Sequence, residues 1–313
     1  MSQEILQVSP LPPSMMSALQ QEDYIVHDHT HIKDPGALSK VTAIVGTSAA
    51  KVDRKLLMML PNLKLIAICG VGYDGVDVAS AIEKGIVISH TPGVLTDDAA
   101  DLGMALLLSI GRRIAQADRF VRNGDWVDDV FPLTHKVTGS RLGVVGMGRI
   151  GRAVAKRAAA FDMTIAYTGR DAKVDLSYAY YPTVEALAAE VDYLMVAVPG
   201  GNDTQNLIDA KVLQALGAKG YLINIARGSV VDQPVLVQAL KDKTIAGAAL
   251  DVYWDEPIVD PELRRLPNVV LTPHIASATD ETRRAMADLT LANLATFYLK
   301  KTLLTPVPEC TLE

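Results

Sequence analysis

The segment Gly146-Met147-Gly148-Arg149-Ile150-Gly151 constrains the fold of this chain more than any other feature. It directly follows an apolar run at Leu142–Val145 and opens a stretch, Arg149–Phe161, whose apolar residues recur with helical spacing. In that context the first glycine permits a tight turn, the second admits a pyrophosphate, and the third lets helix and strand pack closely. A tight turn without a ligand is the alternative. We predict a dinucleotide site with its phosphates at the helix N-terminus.

Apolar runs alternate with helical patterns along the whole chain, which predicts α/β architecture with doubly wound parallel sheets. Because 313 residues exceed what one hydrophobic core usually holds, we expect two domains, residues 1–98 with 283–313 and residues 99–282. A long helix predicted at Asp97–Arg112 connects them, and a last helix at Glu281–Leu299 returns to the first. The predicted strands are Ile5–Val8, Tyr24–His27, Ala43–Val45, Leu65–Ile68, Ile86–Ile88, Leu142–Val145, Met163–Tyr167, Tyr193–Val198, Tyr221–Ile225, Ala246–Leu250 and Val269–Leu271.

Composition argues against several classes of protein. The net charge is −6 with no basic patch, so we expect no nucleic-acid partner. No apolar run reaches the roughly 18 residues of a membrane span, and no secretory signal is recognisable, so we expect no membrane association. The two cysteines, Cys69 and Cys310, match no metal-ligand spacing and indicate a reducing compartment, the cytoplasm.

The residues after the second strand of the dinucleotide site indicate which nicotinamide cofactor is used. An Asp or Glu about 20 residues beyond the glycine motif would bind the ribose 2′-hydroxyl of NAD. This chain instead reads Tyr167-Thr168-Gly169-Arg170, and an arginine can neutralise the 2′-phosphate of NADP. Asp171 would act as the acid if the turn were longer. We therefore predict NADP(H) as the preferred cofactor and NAD(H) as the alternative.

Three segments of the second domain follow predicted strands and carry reactive side chains: Asn224–Gly228, Asp251–Pro257 and Thr272–Ala276. Reduction of a 2-oxo acid needs an anion clamp and a proton donor beside the nicotinamide. Arg227 suits the clamp, and His274 suits the general acid because imidazoles exchange protons near neutral pH. Glu256 would pair with His274 and favour its charged form. The alternative for Arg227 is a surface ion pair, for Glu256 a solvated position in a loop, and for His274 a polar position at a strand end.

Taken together, these motifs resemble the D-isomer-specific 2-hydroxyacid dehydrogenase family, and most closely its NADPH-dependent glyoxylate/hydroxypyruvate reductase branch. The resemblance spans nearly the whole chain. It rests on Gly146–Gly151, Ala226-Arg227-Gly228, Glu256-Pro257, Pro273-His274, Gly70-Val71-Gly72-Tyr73-Asp74, Thr91-Pro92-Gly93 through Arg112-Arg113, and Tyr167–Arg170.

The resemblance implies a Rossmann cofactor domain, a flavodoxin-like substrate domain and a cleft between them that closes around a small 2-oxo acid such as glyoxylate or hydroxypyruvate. Arg227, Glu256 and His274 would be catalytic. The backbone amides of Val71 and Gly72 would hold the substrate carboxylate. The predicted long helix and the arm around Gly111–Arg141 would form a homodimer interface. The expected cofactor contacts are Thr96, Gly146, Gly148, Arg149, Ile150, Gly151, Thr168, Gly169, Arg170, Val198, Pro199, Thr204, Ile225, Ala226, Asp251 and Ala276.

Several further features leave alternatives open. Ser48 follows a predicted strand and is a weaker candidate for substrate contact, while Trp254 either walls the substrate pocket or packs. His27, His29 and His31 would share one face of a strand and could bind a metal, although such runs are more often polar strand ends, so we predict no metal site. The competing functions are a non-enzymatic nucleotide sensor on the same scaffold and another Rossmann enzyme such as a methyltransferase.

Overall fold

The computed structural model describes residues 3–22, 24–31 and 34–310, with the backbone alone at Pro35. The chain divides into two compact units, Met1–Leu95 with Thr279–Glu313, and Thr96–Ala278. The sequence placed these boundaries slightly later, after residues 98 and 282. The boundaries coincide with helix starts, because Thr96 begins a helix of the second unit and Thr279 caps the last helix of the first.

The strands and helices of the described residues follow the predicted alternation. The strands are β1 Glu4–Gln7, β2 Ile25–Asp28, β3 Val41–Thr47, β4 Leu65–Cys69, β5 Val87–Ser89, β6 Arg141–Val145, β7 Thr164–Thr168, β8 Ala179–Tyr180, β9 Tyr193–Val196, β10 Tyr221–Asn224, β11 Gly247–Leu250 and β12 Val269–Leu271. The helices are α1 Pro13–Gln21, α2 Pro35–Leu38, α3 Arg54–Met59, α4 Val78–Glu83, α5 Thr96–Gly111, α6 Ile114–Arg122, α7 Arg149–Ala159, α8 Val184–Ala188, α9 Ala210–Leu216, α10 Gln233–Lys241, α11 Pro261–Arg265 and α12 Asp280–Lys300.

The first unit is a parallel sheet of order β2-β1-β3-β4-β5 with helices on both faces. Alternation along β3 sends Ile44 to a core shared with α3 and α4, and Ala43 and Val45 to a core shared with α1 and α12. Every residue of β4 is buried, as expected for a central strand covered on both sides. Because all strands of this sheet are parallel, the loops after β1, β3 and β4 emerge at the same edge, where the strands end.

The second unit is a parallel sheet of order β12-β11-β10-β9-β6-β7-β8. Helices α5 and α7 pack on one face, and α8, α9 and α10 pack on the other. After β6 the chain builds β7 and β8 on one side and then returns to β9 on the other. The strand order thus reverses between β6 and β9, and a ligand crevice in such sheets lies at the carboxyl ends of these strands.

The predicted fold class is confirmed, and each predicted strand is present within two residues of its expected limits. One strand escaped prediction, the two-residue β8 at the sheet edge. The predicted long helix ends at Gly111, because Arg113 adopts a left-handed conformation with φ of 52° before α6 begins. Within the described ranges, no helix has the length and apolar character needed to cross a membrane.

Candidate active site

The glycine-rich turn after β6 has the geometry that its three glycines predict. Gly146 has φ of +98°, and an added Cβ would lie 2.7 Å from Cγ1 of Val198. At Gly151 a Cβ would collide with the carbonyl oxygen of Gly146, so the third glycine is required for α7 to pack on β6.

Gly148 differs from the other two glycines of the motif, Gly146 and Gly151, because nothing lies within 4 Å of where its Cβ would be. It is the N-cap of α7, and no side chain caps that helix end. Open space before an uncapped helix N-terminus fits the pyrophosphate of a dinucleotide, which the first amides of the helix would bind. Arg149 and Ile150 form the first turn, and the Arg149 side chain is exposed.

The carboxyl end of β7 lies beside this turn. Gly146 donates its backbone N–H to the carbonyl oxygen of Thr168 at 3.0 Å. Thr168 is buried, Gly169 has open space at its Cβ position, and Arg170 and Asp171 are exposed. An exposed guanidinium next to open space suits the 2′-phosphate that the sequence predicted.

The turn after β10 positions Arg227. Asn224, which is 1% exposed, accepts from the amide of Ala226 at 3.0 Å and donates to the carbonyl oxygen of Arg227 at 2.9 Å. The next residue, Gly228, has no room for a Cβ because the backbone of Tyr253 lies against it. The half-buried Arg227 is therefore held between a rigid turn and the segment that carries Glu256.

Glu256 and His274 form a close pair, with 2.6 Å between Oε2 and Nδ1. The other carboxylate oxygen, Oε1, accepts from the amide of Tyr253 at 2.9 Å. Burial by itself raises the pKa of the Glu256 carboxyl, whereas the hydrogen bond and charge of His274 lower it. The Tyr253 amide and the charge of Arg227 also lower this pKa, so the carboxyl stays below its ordinary value.

Asp251 at the end of β11 organises the loop that carries His274. Its fully buried carboxylate accepts from the hydroxyl of Thr272 at 2.7 Å and from the amides of Ile275 and Ala276 at 2.8 and 2.9 Å. The amide of His274 donates to the backbone carbonyl of Asp251 at 2.9 Å. These bonds hold His274 at φ of 54°, a conformation that non-glycine residues seldom adopt. The sequence predicted Asp251 only as a cofactor contact.

The remaining predicted cofactor contacts also lie in the second unit. Val198 and Pro199 follow β9, and the hydroxyl of Thr204 donates to the carbonyl oxygen of Pro199 at 2.7 Å. Ile225 is buried directly after β10, and Thr96 is the first residue of α5. Val198 and Pro199 thus follow a strand at the β6–β9 reversal point, and Ile225 follows the strand beside it. The cofactor roles of all five residues stay predictions.

The predicted carboxylate site lies in the first unit, in the loop after β4. Val71 and Gly72 are half-buried there, and the carbonyl oxygen of Gly70 accepts from the amide of Thr91 at 2.8 Å. Ser48, in the loop after β3, presses its hydroxyl against Gly70, where a Cβ would collide with it. The structure thus brings Ser48 next to the loop that carries both amides.

Two other sequence features have structural explanations. The indole of Trp254 donates to the carbonyl oxygen of Val231 at 2.7 Å, which favours packing over a pocket wall. His27 pairs with Glu4 at 2.8 Å, whereas His29 and His31 lie beyond the end of β2 and approach Asp28. Among residues 3–22, 24–31 and 34–310, no group of three or more His, Cys, Asp or Glu side chains is arranged to hold a metal ion.

The family relationship is decided by the second unit. The sequence model described as "D-isomer specific 2-hydroxyacid dehydrogenase, NAD binding domain" matches residues 104–276, more than half of the chain. The chain belongs to the D-isomer specific 2-hydroxyacid dehydrogenase family. The predicted resemblance is therefore confirmed, and the matched range contains the glycine turn, Arg227, Glu256 and His274.

Named relatives of this dehydrogenase are reductases. It is 48% identical over 269 residues to glyoxylate/hydroxypyruvate reductase A of Arabidopsis thaliana, covering 86% of each protein. It is also 48% identical over 267 residues to hydroxyphenylpyruvate reductase of Plectranthus scutellarioides, covering 85% of each. The crystal structure of an NADPH-dependent glyoxylate/hydroxypyruvate reductase from Sinorhizobium meliloti, in complex with NADP and malonate, superposes with a TM-score of 0.94 at 40% identity, covering 99% of this chain and 98% of that one. These relatives give the sensor alternative no support.

Sequence reasoning missed three residues that contact the segments carrying the predicted site residues of the two units. Asn224 and Tyr253 act through backbone contacts, the tyrosine hydroxyl donating to the carbonyl oxygens of Thr272 and Leu250 at 2.9 and 3.1 Å. His90 donates from Nδ1 to the carbonyl oxygen of Val71 at 3.0 Å. The signal available for Asn224 was a polar residue at the end of an apolar strand, directly before Ile225-Ala226-Arg227.

Proposed function

We propose that this protein reduces the carbonyl group of a small 2-oxo acid to the corresponding 2-hydroxy acid with NADPH. The observation that carries the proposal is the Glu256–His274 pair, held beside Arg227 on strand ends of the sheet that bears the glycine turn. In the proposed arrangement the second unit binds the cofactor and the first unit binds the substrate acid.

The side chains of the second unit have distinct roles in the proposed reaction. Glu256 occupies Nδ1 of His274, which leaves Nε2 to donate a proton to the carbonyl oxygen as negative charge develops there. The Glu256 carboxylate also fixes the orientation of the His274 imidazole for that transfer. Arg227 holds the substrate carboxylate and polarises the carbonyl group. When bound, the nicotinamide supplies the hydride that adds to the α carbon.

The amides of Val71 and Gly72 hold the carboxylate from the first unit, with Ser48 as a neighbour rather than a principal ligand. Backbone N–H groups bind a carboxylate with short, charge-assisted hydrogen bonds. No substitution of Val71 removes its amide unless proline is introduced. This part of the proposal therefore predicts that carboxylate binding tolerates side-chain changes in this loop.

NADP(H) is the proposed cofactor because Arg170 stands where an acidic residue would select NAD. The S. meliloti reductase, whose structure contains NADP, supports this choice. The test is NADPH oxidation, followed by absorbance with glyoxylate, hydroxypyruvate and hydroxyphenylpyruvate, and repeated with NADH. Glyoxylate and hydroxypyruvate turnover with NADPH is expected. Tight NADPH binding without turnover of any acid would contradict the reductase and revive the sensor.

We further propose a homodimer built on the arm that follows α6. This arm exposes Trp126, Val127, Val130 and Leu133 to between 70% and 100%, which is costly for apolar side chains unless another surface covers them. We propose that a second copy of the chain covers these side chains. We propose no nucleic-acid partner. The free thiols of Cys69 and Cys310 support a cytoplasmic location. Light scattering should give a mass twice that of one chain. The double variant Val130→Asp with Leu133→Asp should give the mass of a single chain.

A further inference from the structure

Two consecutive residues, His90 and Thr91, form hydrogen bonds to the backbone carbonyls of the loop that carries the proposed carboxylate-binding amides. The amide of Thr91 donates to the carbonyl oxygen of Gly70 at 2.8 Å, and Nδ1 of His90 lies 3.0 Å from the carbonyl oxygen of Val71. Because a carbonyl oxygen only accepts, Nδ1 must carry the ring hydrogen. His90 is 9% exposed, so bulk water competes poorly for this bond.

Each anchored carbonyl shares a peptide plane with one of the two amides. The Gly70 carbonyl is rigidly connected to the N–H of Val71, and the Val71 carbonyl to the N–H of Gly72. Both peptide bonds are trans, so carbonyl and N–H point in opposite directions. Fixing a carbonyl on one side of the loop therefore aims an amide at the other side. A hydrogen bond to the carbonyl also polarises the peptide and strengthens its N–H as a donor.

His90 is itself held by the segment that follows α12. Its amide donates to the carbonyl oxygen of Thr305 at 3.1 Å, and the Thr305 hydroxyl donates to the carbonyl oxygen of His90 at 2.6 Å. The fully buried Asn293 accepts from the amides of Leu304 and Thr305 at 3.0 Å each and donates to the Thr305 hydroxyl at 2.8 Å. The C-terminal segment thus determines where the imidazole of His90 lies.

The ring of His90 has a second support in Tyr73. The two rings meet edge to face, with centroids 5.4 Å apart and an interplanar angle of 88°. The Tyr73 hydroxyl donates to Oε2 of Glu309 at 3.0 Å. Burial, with the nearby Glu309 carboxylate, raises the pKa of Tyr73 to about 12, so the phenol stays protonated and able to donate at neutral pH.

We propose that His90 is a positioning residue for substrate binding, which aims the amide of Gly72 at the substrate carboxylate through the carbonyl group of Val71. The inference rests on the proposed function, in which that amide is a carboxylate ligand. His90 touches neither substrate nor cofactor in this scheme. Its loss therefore weakens binding of the acid without removing a group that takes part in proton or hydride transfer.

The test compares His90→Ala, which removes the donor, with His90→Asn, whose side-chain amide nitrogen can replace Nδ1. We expect the KM for glyoxylate to rise about tenfold in His90→Ala, the size of one hydrogen bond's contribution, with kcat within about twofold of wild type. His90→Asn should stay within about threefold of the wild-type KM. The Kd for NADPH should be the same in all three proteins, because the cofactor site is built from the second unit.

An unchanged KM in His90→Ala would overturn the proposal. An equal rise in both variants would also overturn it, because packing against Tyr73 would then matter rather than the hydrogen bond. If His90→Ala unfolds at the assay temperature, Thr305→Val takes its place; it removes the hydroxyl that holds the His90 carbonyl and should raise the KM about threefold, and an unchanged KM would count against the proposal.

A parallel titration with oxamate, an unreactive analogue of a 2-oxo acid, separates this inference from the proposed function. Absence of wild-type turnover would defeat the reductase assignment by itself. The oxamate Kd in the presence of NADPH would still report on positioning, with weaker binding expected for His90→Ala than for His90→Asn. Equal oxamate affinities of wild type and both variants would reject the role of His90.

Discussion

The two units present their ligand groups in different ways. At the carboxyl edge of the second sheet the proposed reactive groups are side chains, namely Arg227, Glu256 and His274. At the same edge of the first sheet the proposed ligands are the backbone amides of Val71 and Gly72, which exist whatever the side chain. Chemistry in the second unit is therefore vulnerable to single substitutions. The proposed carboxylate binding in the first unit would instead depend on the direction of two peptide planes, and on the residues that set this direction.

The largest expected effect is on the side-chain site. His274→Gln removes the proton donor but keeps a polar group of similar length. It should lower kcat by on the order of 10²–10⁴-fold in steady-state NADPH oxidation, the usual contribution of a general acid. The Kd for NADPH, measured by fluorescence titration, should change less than about twofold. A kcat within tenfold of wild type would contradict the assignment of His274 as proton donor.

The glycine turn separates a binding effect from a stability effect. Gly148→Ala adds a methyl group in open space, so the free energy of unfolding should stay unchanged. The Kd for NADPH should rise by on the order of 100-fold, because the methyl group would occupy the space of the pyrophosphate. Gly151→Ala is the matched control. Its methyl group would meet the carbonyl oxygen of Gly146, and the free energy of unfolding should fall by about 1–3 kcal/mol. If Gly148→Ala bound NADPH normally, the pyrophosphate would not lie at this turn.

A smaller effect is expected at the rim of the cofactor site. Arg170→Ala should raise the KM for NADPH about tenfold and leave the KM for NADH nearly unchanged, because an exposed guanidinium interacts with phosphate through screened charge. Asp171→Ala is the control and should not alter NADPH use. A selective loss of NADH activity in Asp171→Ala would instead assign the ribose contact to that carboxylate.

The contribution of the Glu256–His274 pair to stability should also appear in the pH dependence of the free energy of unfolding. The folded pKa of Glu256 lies below the ordinary value, so its contribution to stability is fully present above the unfolded pKa of about 4.3 and is lost as pH falls through the folded pKa. Glu256→Gln should therefore lower the free energy of unfolding most near neutral pH, and the two proteins should converge under acid. Urea unfolding at several pH values checks this; a gap that widens below about pH 4 would reverse the assigned sign.

The smallest effect is expected from Ser48→Ala in the first unit. Its hydroxyl packs on Gly70, while the proposed carboxylate ligands are backbone amides, so the KM for glyoxylate should change by less than about threefold. A rise of tenfold or more would remove the contrast between the units, because a side chain would then be the main ligand in both.

This contrast also explains what the sequence revealed. Arg227, Glu256 and His274 could be proposed as catalytic residues because residue types that do chemistry followed apolar strands, and the predicted pairing of Glu256 with His274 is present in the structure. The roles of Asn224, Asp251 and His90 were not visible, since each acts on backbone atoms whose positions exist only after folding. The two-residue β8 escaped because a period-two pattern needs more residues than Ala179–Tyr180 provide. The break at Arg113 escaped because a left-handed arginine carries no compositional signal.

The chain leaves the first unit at Leu95 and re-enters it at Thr279, which has a consequence for biosynthesis. One face of the first sheet is covered by α12, through Met286, Ala287 and Leu294, and these residues are synthesised only after the whole inserted unit. The inserted unit is synthesised without interruption and can fold during translation, whereas this apolar face of the first sheet stays open until α12 has been synthesised. Nascent chains stalled before residue 280 should therefore engage chaperones through the first unit, and chains from which all of α12 has left the ribosome should not.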